Sequence, residues 1–386
     1  MKKSIKMFII IFLICCVGIL CYVLTSDLES GNRIVSIHKK IGNELPENIS
    51  AMLCYGKGHL ESSKSETFFY TKDYLEQSEN QYYLGVSHVF PDEVITERFA
   101  IPLGYKNSKD MASNLGQILD YANYEKAEIL ILNDWYNEDK KIVVAYIIDN
   151  DLKTVEFPVE DEAYLGTYID NNKIYTLINS KNELILSTID IANNNNEIKT
   201  ISYSGIVRDR TDLSGSYTLI KNNILYLGEA TYDAKSDTVF STISMLNLAN
   251  NETYSITFEN EWIYNLLYNE NEIVALMGAG KDDIGYYQDI VCNIIDLKLD
   301  IISTHSIMGL PDNIDTVNFA DRSQIYDGII YTIINGTTLG KNHLLAYNIK
   351  EKEIIYQAEL ESKVKDKILF DWNFYIYSNN DYYEMP

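Results

Sequence analysis

Aromatic rings gather beside charged side chains at three places in this 386-residue sequence. Trp135 and Tyr136 precede Glu138 and Asp139, Arg208, Asp209 and Arg210 form one charged run, and Lys281, Asp282 and Asp283 are followed by Tyr286 and Tyr287. Flat rings stack on sugar or peptide planes, and neighbouring guanidinium and carboxylate groups supply oriented, charge-assisted hydrogen bonds. Trp135, Tyr136, Asp139, Arg208, Arg210, Asp282, Asp283, Tyr286 and Tyr287 are therefore the candidate binding residues for a protein, peptide or glycan. The competing reading makes them ordinary solvated loop residues whose rings pack locally.

Other chemistries lack their residue patterns. The five histidines (His38, His59, His88, His305 and His343) show no H-x-x-x-H or H-E-x-x-H spacing, so no zinc site is assigned. Residues 278–285 read GAGKDDIG but lack the glycine-lysine-Ser/Thr ending of a phosphate loop. Asp149-Asn150-Asp151 and Asp282-Asp283 could add oxygens to a calcium ion, yet the glycine and later glutamate of an EF-hand loop are missing. Leu213-Ser214-Gly215-Ser216 is not a G-x-S-x-G nucleophile elbow. No metal, cofactor or catalytic residue is assigned. The enzymatic alternative is an envelope hydrolase or lyase that uses acidic residues of the same loops, Asp139 and Asp282 first.

The elements that must position these loops begin with an apolar segment. Residues 7–24 read MFIIIFLICCVGILCYVL, without a charge. As a helix they span roughly 27 Å, close to the thickness of a bilayer core. Lys2, Lys3 and Lys6 precede the segment and Asp27 and Glu29 follow it, which orients the N-terminus inside and the remainder outside. No small-residue cleavage site closes the segment, so an uncleaved signal anchor is expected, with cleavage or lipidation at Cys21 as the alternative. The expected order is a basic tail (1–6), an anchor (7–24), a short tether (25–32) and one domain (33–386). With 56 acidic against 32 basic residues the chain carries −24, which repels nucleic-acid phosphates and anionic lipid heads. Outside the anchor only Cys54 and Cys292 remain, read as two buried, unpaired thiols.

Beyond the anchor almost nothing reads as a helix. Short runs rich in Tyr and Ile recur between Asn/Asp clusters, in a repeating order. One hairpin turn recurs at Asn171-Asn172, Asn222-Asn223, Glu270-Asn271 and Asp327-Gly328, residue types that tolerate a left-handed backbone. A second hairpin follows each time, after an Asp or Asn that ends an apolar run: Asp149, Asp190, Asn247, Asp296 and Asn348, spaced 41, 57, 49 and 52 residues apart. Four strands per period of about 40 to 50 residues is the signature of propeller blades, which cannot bury both faces unless they stack on neighbours.

An all-β propeller of seven blades is expected, with six or eight as alternatives. Three C-terminal strands near 367–371, 374–378 and 381–385 would join an N-terminal strand at 33–39 to complete the closing blade and remove a free edge. In such meanders the turns after the first and third strands share one face. The connections 133–140, 229–238, 278–288 and 335–342 lie on the opposite face with the links 105–115, 204–214 and 308–316, and these vary in length. Loops on a rigid scaffold carry function, so this face is the expected binding surface.

The repeat resembles the broad WD40-like, YVTN-like and quinoprotein-like propellers of bacterial envelopes, over residues 33–386 and at the level of architecture. Asp134-Trp135 and Asp371-Trp372 are isolated, and no Y-V-T-N run, sialidase box or tryptophan-docking motif occurs. No family residue is therefore carried over. The repeat architecture, the short tether after the anchor and the lack of a catalytic constellation together give the expectation of a membrane-tethered, extracytoplasmic binding or scaffold module.

Overall fold

The computed structural model describes residues 35–42, 45, 49–55, 66–71, 74–77, 82–84, 89–124, 127–134, 141–158, 162–180, 183–193, 195–202, 218–233, 235–236, 238–281, 287–311, 323–335, 341–362 and 373–378. Residues 7–24, where the sequence places the anchor, lie outside them. Among the described residues no helix is long and apolar enough to cross a membrane.

Hairpins form where the Asn/Asp turns predict them. Asp149 and Asn150, Asn171 and Asn172, Asn222 and Asn223, and Asp327 and Gly328 all have positive φ, between 49° and 70°. Paired left-handed residues make the tight turn whose twist matches that of the flanking strands. The other anchors of the second set, after Asp149, work through side chains. Asp190 Oδ1 accepts the N–H groups of Ala192 and Asn193 at 2.9 and 3.1 Å, and Asp296 Oδ1 accepts those of Lys298 and Asp300 at 2.7 and 2.9 Å. Asn247 caps Ala249 and Asn348 caps Glu351 in the same way.

These turns build antiparallel meanders. Early in the chain come β1 (Val35–Ile41), β2 (Ile49–Tyr55), β3 (Glu66–Thr71), β4 (Tyr74–Gln77) and the hairpin β5 (Tyr82–Leu84) with β6 (Val89–Pro91). Sheet 2 is β7 (Gln117–Tyr124), β8 (Ala127–Asp134), β9 (Lys141–Ile148) and β10 (Asp151–Pro158). Sheet 3 is β11 (Glu162–Asp170), β12 (Lys173–Ser180), β13 (Glu183–Asp190) and β14 (Asn195–Ser202). Sheet 4 is β15 (Thr218–Lys221), β16 (Ile224–Asp233), β17 (Thr238–Asn247) and β18 (Thr253–Glu259). Sheet 5 is β19 (Trp262–Asn269), β20 (Glu272–Lys281), β21 (Tyr287–Asp296) and β22 (Ile301–Ser306). Sheet 6 is β23 (Gln324–Tyr326), β24 (Ile329–Asn335), β25 (Lys341–Asn348) and β26 (Glu353–Ser362), and β27 (Asn373–Ser378) is the last described strand.

The first strands of successive sheets lie against one another: β11 against β15, β15 against β19, β19 against β23 and β23 against β27. Apolar clusters fill the seams. Tyr146 and Phe157 of sheet 2 pack with Ile174 and Ile178 of sheet 3, and Tyr226 and Ile243 of sheet 4 pack with Ile273 and Met277 of sheet 5. Sheets 2 to 6 thus cover one another's faces, and the chain is an all-β, propeller-like succession of sheets.

N- and C-terminal strands do share a sheet: of the three C-terminal strands expected there, 374–378 is described, as β27, while 367–371 and 381–385 lie outside the described residues. Sheet 1 has the order β27-β2-β3-β4, so one C-terminal strand completes three N-terminal ones. Strand β1, expected in that closing sheet, instead adds a fifth strand outside β26. At this pairing His38 lies opposite Glu359, and Lys40 Nζ binds Glu359 Oε2 at 3.0 Å.

A second correction concerns 92–115. The link 105–115, expected as a loop, holds a helix, α2 (Ser108–Leu115), and before it α1 (Asp92–Ile95) runs into a π-helical turn (Thr96–Ala100). Asn107 caps α2 by accepting the Asp110 N–H at 2.8 Å. Val94, Ile95, Phe99 and Met111 bury their side chains against Ile118, Tyr121 and Leu130 of sheet 2. Arg98 grips Glu128 through Nε at 2.9 and 3.0 Å and through Nη2, fixing the insert to β8.

Pairing of β27 with β2 predicts that ending the chain at residue 372 strips β2 of one of its two partners and lowers the melting temperature by about 10 °C or more. A truncated domain that melts with the full-length chain in calorimetry overturns this assignment.

Candidate functional site

The meander order divides the ring into two faces, and the turn face is tied shut. Asn223 donates its N–H to Asp170 Oδ2 at 2.8 Å, and Tyr175 Oη donates to Asn223 Oδ1 at 2.7 Å, joining sheets 3 and 4. Tyr226 Oη donates to the Leu297 carbonyl at 2.9 Å, joining sheets 4 and 5, while Lys221 Nζ sits 4.7 Å above the Tyr268 ring. Burial pushes the Tyr175 and Tyr226 hydroxyls up to about 12, so both remain protonated donors.

The opposite face receives every connection between second and third strands and every link between sheets 2 to 6. These range from two residues (181–182) to seventeen (307–323). Eight of the nine candidate binding residues, Trp135, Tyr136, Asp139, Arg208, Arg210, Asp282, Asp283 and Tyr286, fall in these connections and lie outside the described residues. Tyr287 is the first residue of β21, paired with Lys281 at the end of β20, so the Lys281–Tyr287 hairpin end belongs to this loop face.

Beneath the loop face the first strands carry a feature that the sequence reading missed. Three of them are bulged at corresponding places: between Ile118 and Asp120 in β7, Tyr164 and Gly166 in β11, and Ile263 and Asn265 in β19. A bulge bends the strand and re-aims the residues that follow it. The polar residues just beyond the bulges, Asp120, Thr167 and Asn265, are buried.

These residues connect neighbouring sheets. Tyr164 Oη lies 3.0 Å from Asp120 Oδ2 and 2.9 Å from Thr167 Oγ1. Its single proton goes to the carboxylate, so Thr167 donates to the tyrosine oxygen. Burial first, and then the nearby Asp120 carboxylate, hold the Tyr164 hydroxyl well above its ordinary range, which keeps it a donor. The other Asp120 oxygen, Oδ1, accepts the Tyr121 N–H at 3.0 Å. One sheet further on, Tyr168 Oη donates to the Thr218 carbonyl at 3.1 Å and contacts the Thr218 hydroxyl. Asn265 Nδ2 donates to the Ser323 carbonyl at 3.3 Å beside β23.

Glycine is required for this arrangement. A Cβ at Gly166 would stand 2.6 Å from Tyr168 Oη, and one at Gly278 would stand 2.5 Å from the ring of Tyr264, the bulged residue of β19. The only sequence signal for this polar belt is a lone polar residue inside an apolar strand, as in Ile118-Leu119-Asp120-Tyr121.

Among the described residues no three His, Cys, Asp or Glu side chains come together to hold a metal ion. Cys292 is a buried free thiol, as expected, and burial raises it to about 12, so it is not a nucleophile at neutral pH. The side chain of Cys54 lies outside the described residues.

No protein-family model matches the chain, and no curated protein matches it. Among solved structures it is similar to an apocarotenoid oxygenase variant from Synechocystis, with 11% identity over 89% of this chain and 96% of that one and a TM-score of 0.45. It is similar also to the β-propeller domain of the Trilobed protease from Pyrococcus furiosus, with 8% identity over 87% of this chain and 99% of that one and a TM-score of 0.41. A third is TolB from Acinetobacter baumannii, with 8% identity over 86% of this chain and 68% of that one and a TM-score of 0.37. These likenesses bear on fold alone, and the fold assignment rests on the sheets themselves.

Tyr164→Phe removes the donor to Asp120 and is expected to cost about 1–3 kcal/mol in urea unfolding. Asp120→Asn adds little to that loss in the double variant, because one bond is being removed twice. Fully additive losses would show that the two side chains do not act on each other.

Proposed function

We propose that this chain is a membrane-anchored, extracytoplasmic propeller that binds a protein, peptide or glycan on its loop face. The carrying observation is the difference between the faces. Tight Asn/Asp turns and hydrogen bonds between sheets occupy the turn face, while all long connections leave from the other. Trp135, Tyr136, Asp139, Arg208, Arg210, Asp282, Asp283, Tyr286 and Tyr287 supply rings and charges there. The buried belt of Asp120, Tyr164, Thr167, Thr218 and Asn265 stiffens the strands that carry these loops. The net charge of −24 favours a cationic or neutral ligand over nucleic acid. Residues 7–24 supply the anchor, with the N-terminus inside the cell.

The seven-position ring is part of the same proposal. Sheets 1 to 6 fill six positions, and the β5–β6 hairpin with its helices fills the seventh, between sheet 1 and β7, against which both of its strands lie.

The test is site-specific photocrosslinking of the full chain in its membrane. A crosslinker at Trp135 or Tyr286 is expected to trap a discrete partner that one at Asn171 or Asn222, on the turn face, does not. Trp135→Ala combined with Arg208→Ala should reduce that yield about tenfold or more with an unchanged melting temperature, as for hot-spot residues. Equal crosslinking from both faces, or none from the loop face, overturns the reading. Turnover of a glycan or peptide that is lost in Asp139→Asn or Asp282→Asn would replace it with the hydrolase or lyase alternative.

A further inference from the structure

The seam between sheets 5 and 6 contains a group of titratable side chains that neither the loop face nor the axial belt uses. Cys292 on β21 stands directly opposite His305 on β22, so the two share one face of sheet 5. From sheet 6, the Tyr347 ring lies nearly parallel to the imidazole, with centroids 6.1 Å apart and planes inclined by 26°. Cys292 and Tyr347 belong to one apolar cluster with Ile290, Ile294, Ile330 and Leu345.

Within this cluster His305 is unusual. The residue is half-buried at the rim, yet both ring nitrogens are shielded from solvent, and neither has a hydrogen-bond partner among the described residues. The Tyr347 hydroxyl is buried and likewise without a partner. The groups that face the imidazole are the Cys292 thiol from β21, the Tyr347 phenol from β25 and the Lys352 ammonium from the β25–β26 turn. The thiol and the phenol, each raised to about 12 by burial, are neutral, and Lys352 has the wrong sign. A proton on His305 would place a cation in an apolar seam with no acceptor and another cation nearby.

We infer that this seam is an acid-operated latch, in which protonation of His305 forces β22 away from sheet 6 and opens the ring beside its closing strands. The topology makes opening local. β22 has six residues and pairs with β21 alone, and sheet 6 is the sheet whose first strand lies against β27. Peeling one edge strand exposes the imidazole to water without unfolding the other sheets.

The sign follows from burial, which lowers the His305 pKa below the ordinary 6.5, with Lys352 adding to the effect. The neutral form belongs to the closed state. Its contribution is complete above about pH 6.5 and is lost as the pH falls from there through the closed-state value. Across that window the ratio of closed to open seam drops by up to about tenfold for each pH unit. Glu261, raised by burial, acts in the opposite direction at its own site, so the contribution of His305 is read as the difference between wild type and variant.

Amide hydrogen exchange of the full chain in detergent or nanodiscs, at pH 7.5 and at 5.5 with intrinsic rates corrected, tests the inference. The wild type is expected to gain exchange at pH 5.5 in β21, β22 and β25, with sheets 2 to 4 unchanged. His305→Phe keeps a ring against Tyr347 and should abolish the gain. His305→Gln, a neutral polar side chain, should do the same should the phenylalanine fail to pack, and His38→Gln, at an exposed site on β1, should retain it. Acid-induced exchange that persists in both His305 variants, or that spreads evenly over all sheets, overturns the latch.

Discussion

A four-stranded antiparallel meander whose strands alternate apolar residues on both faces is not a stable object alone. Each face must be covered, and a stack that covers each face with the next sheet leaves two uncovered faces at its ends unless it closes into a ring. That constraint governs the rest of this protein. It explains why apolar clusters lie between sheets, why the first strands of neighbouring sheets touch near the axis, and why the last described strand, β27, returns to pair with β2. Sheet 1 is completed by hydrogen bonds between segments more than 300 residues apart, so its stability depends on both ends of the chain.

The meander order also makes the two faces different. Once every sheet is a meander of the same order, the tight turns must fall on one face and the longer connections on the other. The turn face then hardens through the side chains that make its turns: Asp170 and Asn223 serve both their own hairpins and the contact between them. The loop face remains free to vary in length and chemistry. Bulges in three first strands bury polar groups near the axis, and Tyr164 and Tyr168 spend their hydroxyls on the next sheets inward of that face. A belt of this kind aligns neighbouring sheets more strictly than apolar packing, because a hydrogen bond tolerates less displacement than a methyl contact.

The seam between sheets 5 and 6 departs from this pattern. Where other seams place tyrosine hydroxyls on acceptors, Tyr347 and His305 have none among the described residues. Two unsatisfied groups at one seam make it weaker than its neighbours, and its place beside the closing sheet gives that weakness a consequence for the whole ring.

The turns, the repeat period, the buried Cys292 and the division into two faces were legible in the sequence because each depends on short-range physics. A positive φ at Asn171 or Asn222 needs only the residue itself, and Asp296 caps a turn four residues long. Strand partnership was not legible, because β1 and β27 carry similar alternating patterns and either could satisfy a free edge. In the structure β1 pairs with β26, more than 300 residues away, and β2 pairs with β27. The axial belt was hidden for the same reason: Asp120 and Tyr164 are 44 residues apart, and only the stacking of two sheets makes them neighbours. Helix α2 carried a readable cap in Asn107, but the strong strand repeat on either side masked it. Composition and local backbone preference determined that this chain would be a succession of hairpins with one variable face. Which edges met, and which polar groups were buried together, was decided only when the ring closed, because those contacts cost loop-closure entropy and form only when the whole set of seams forms with them.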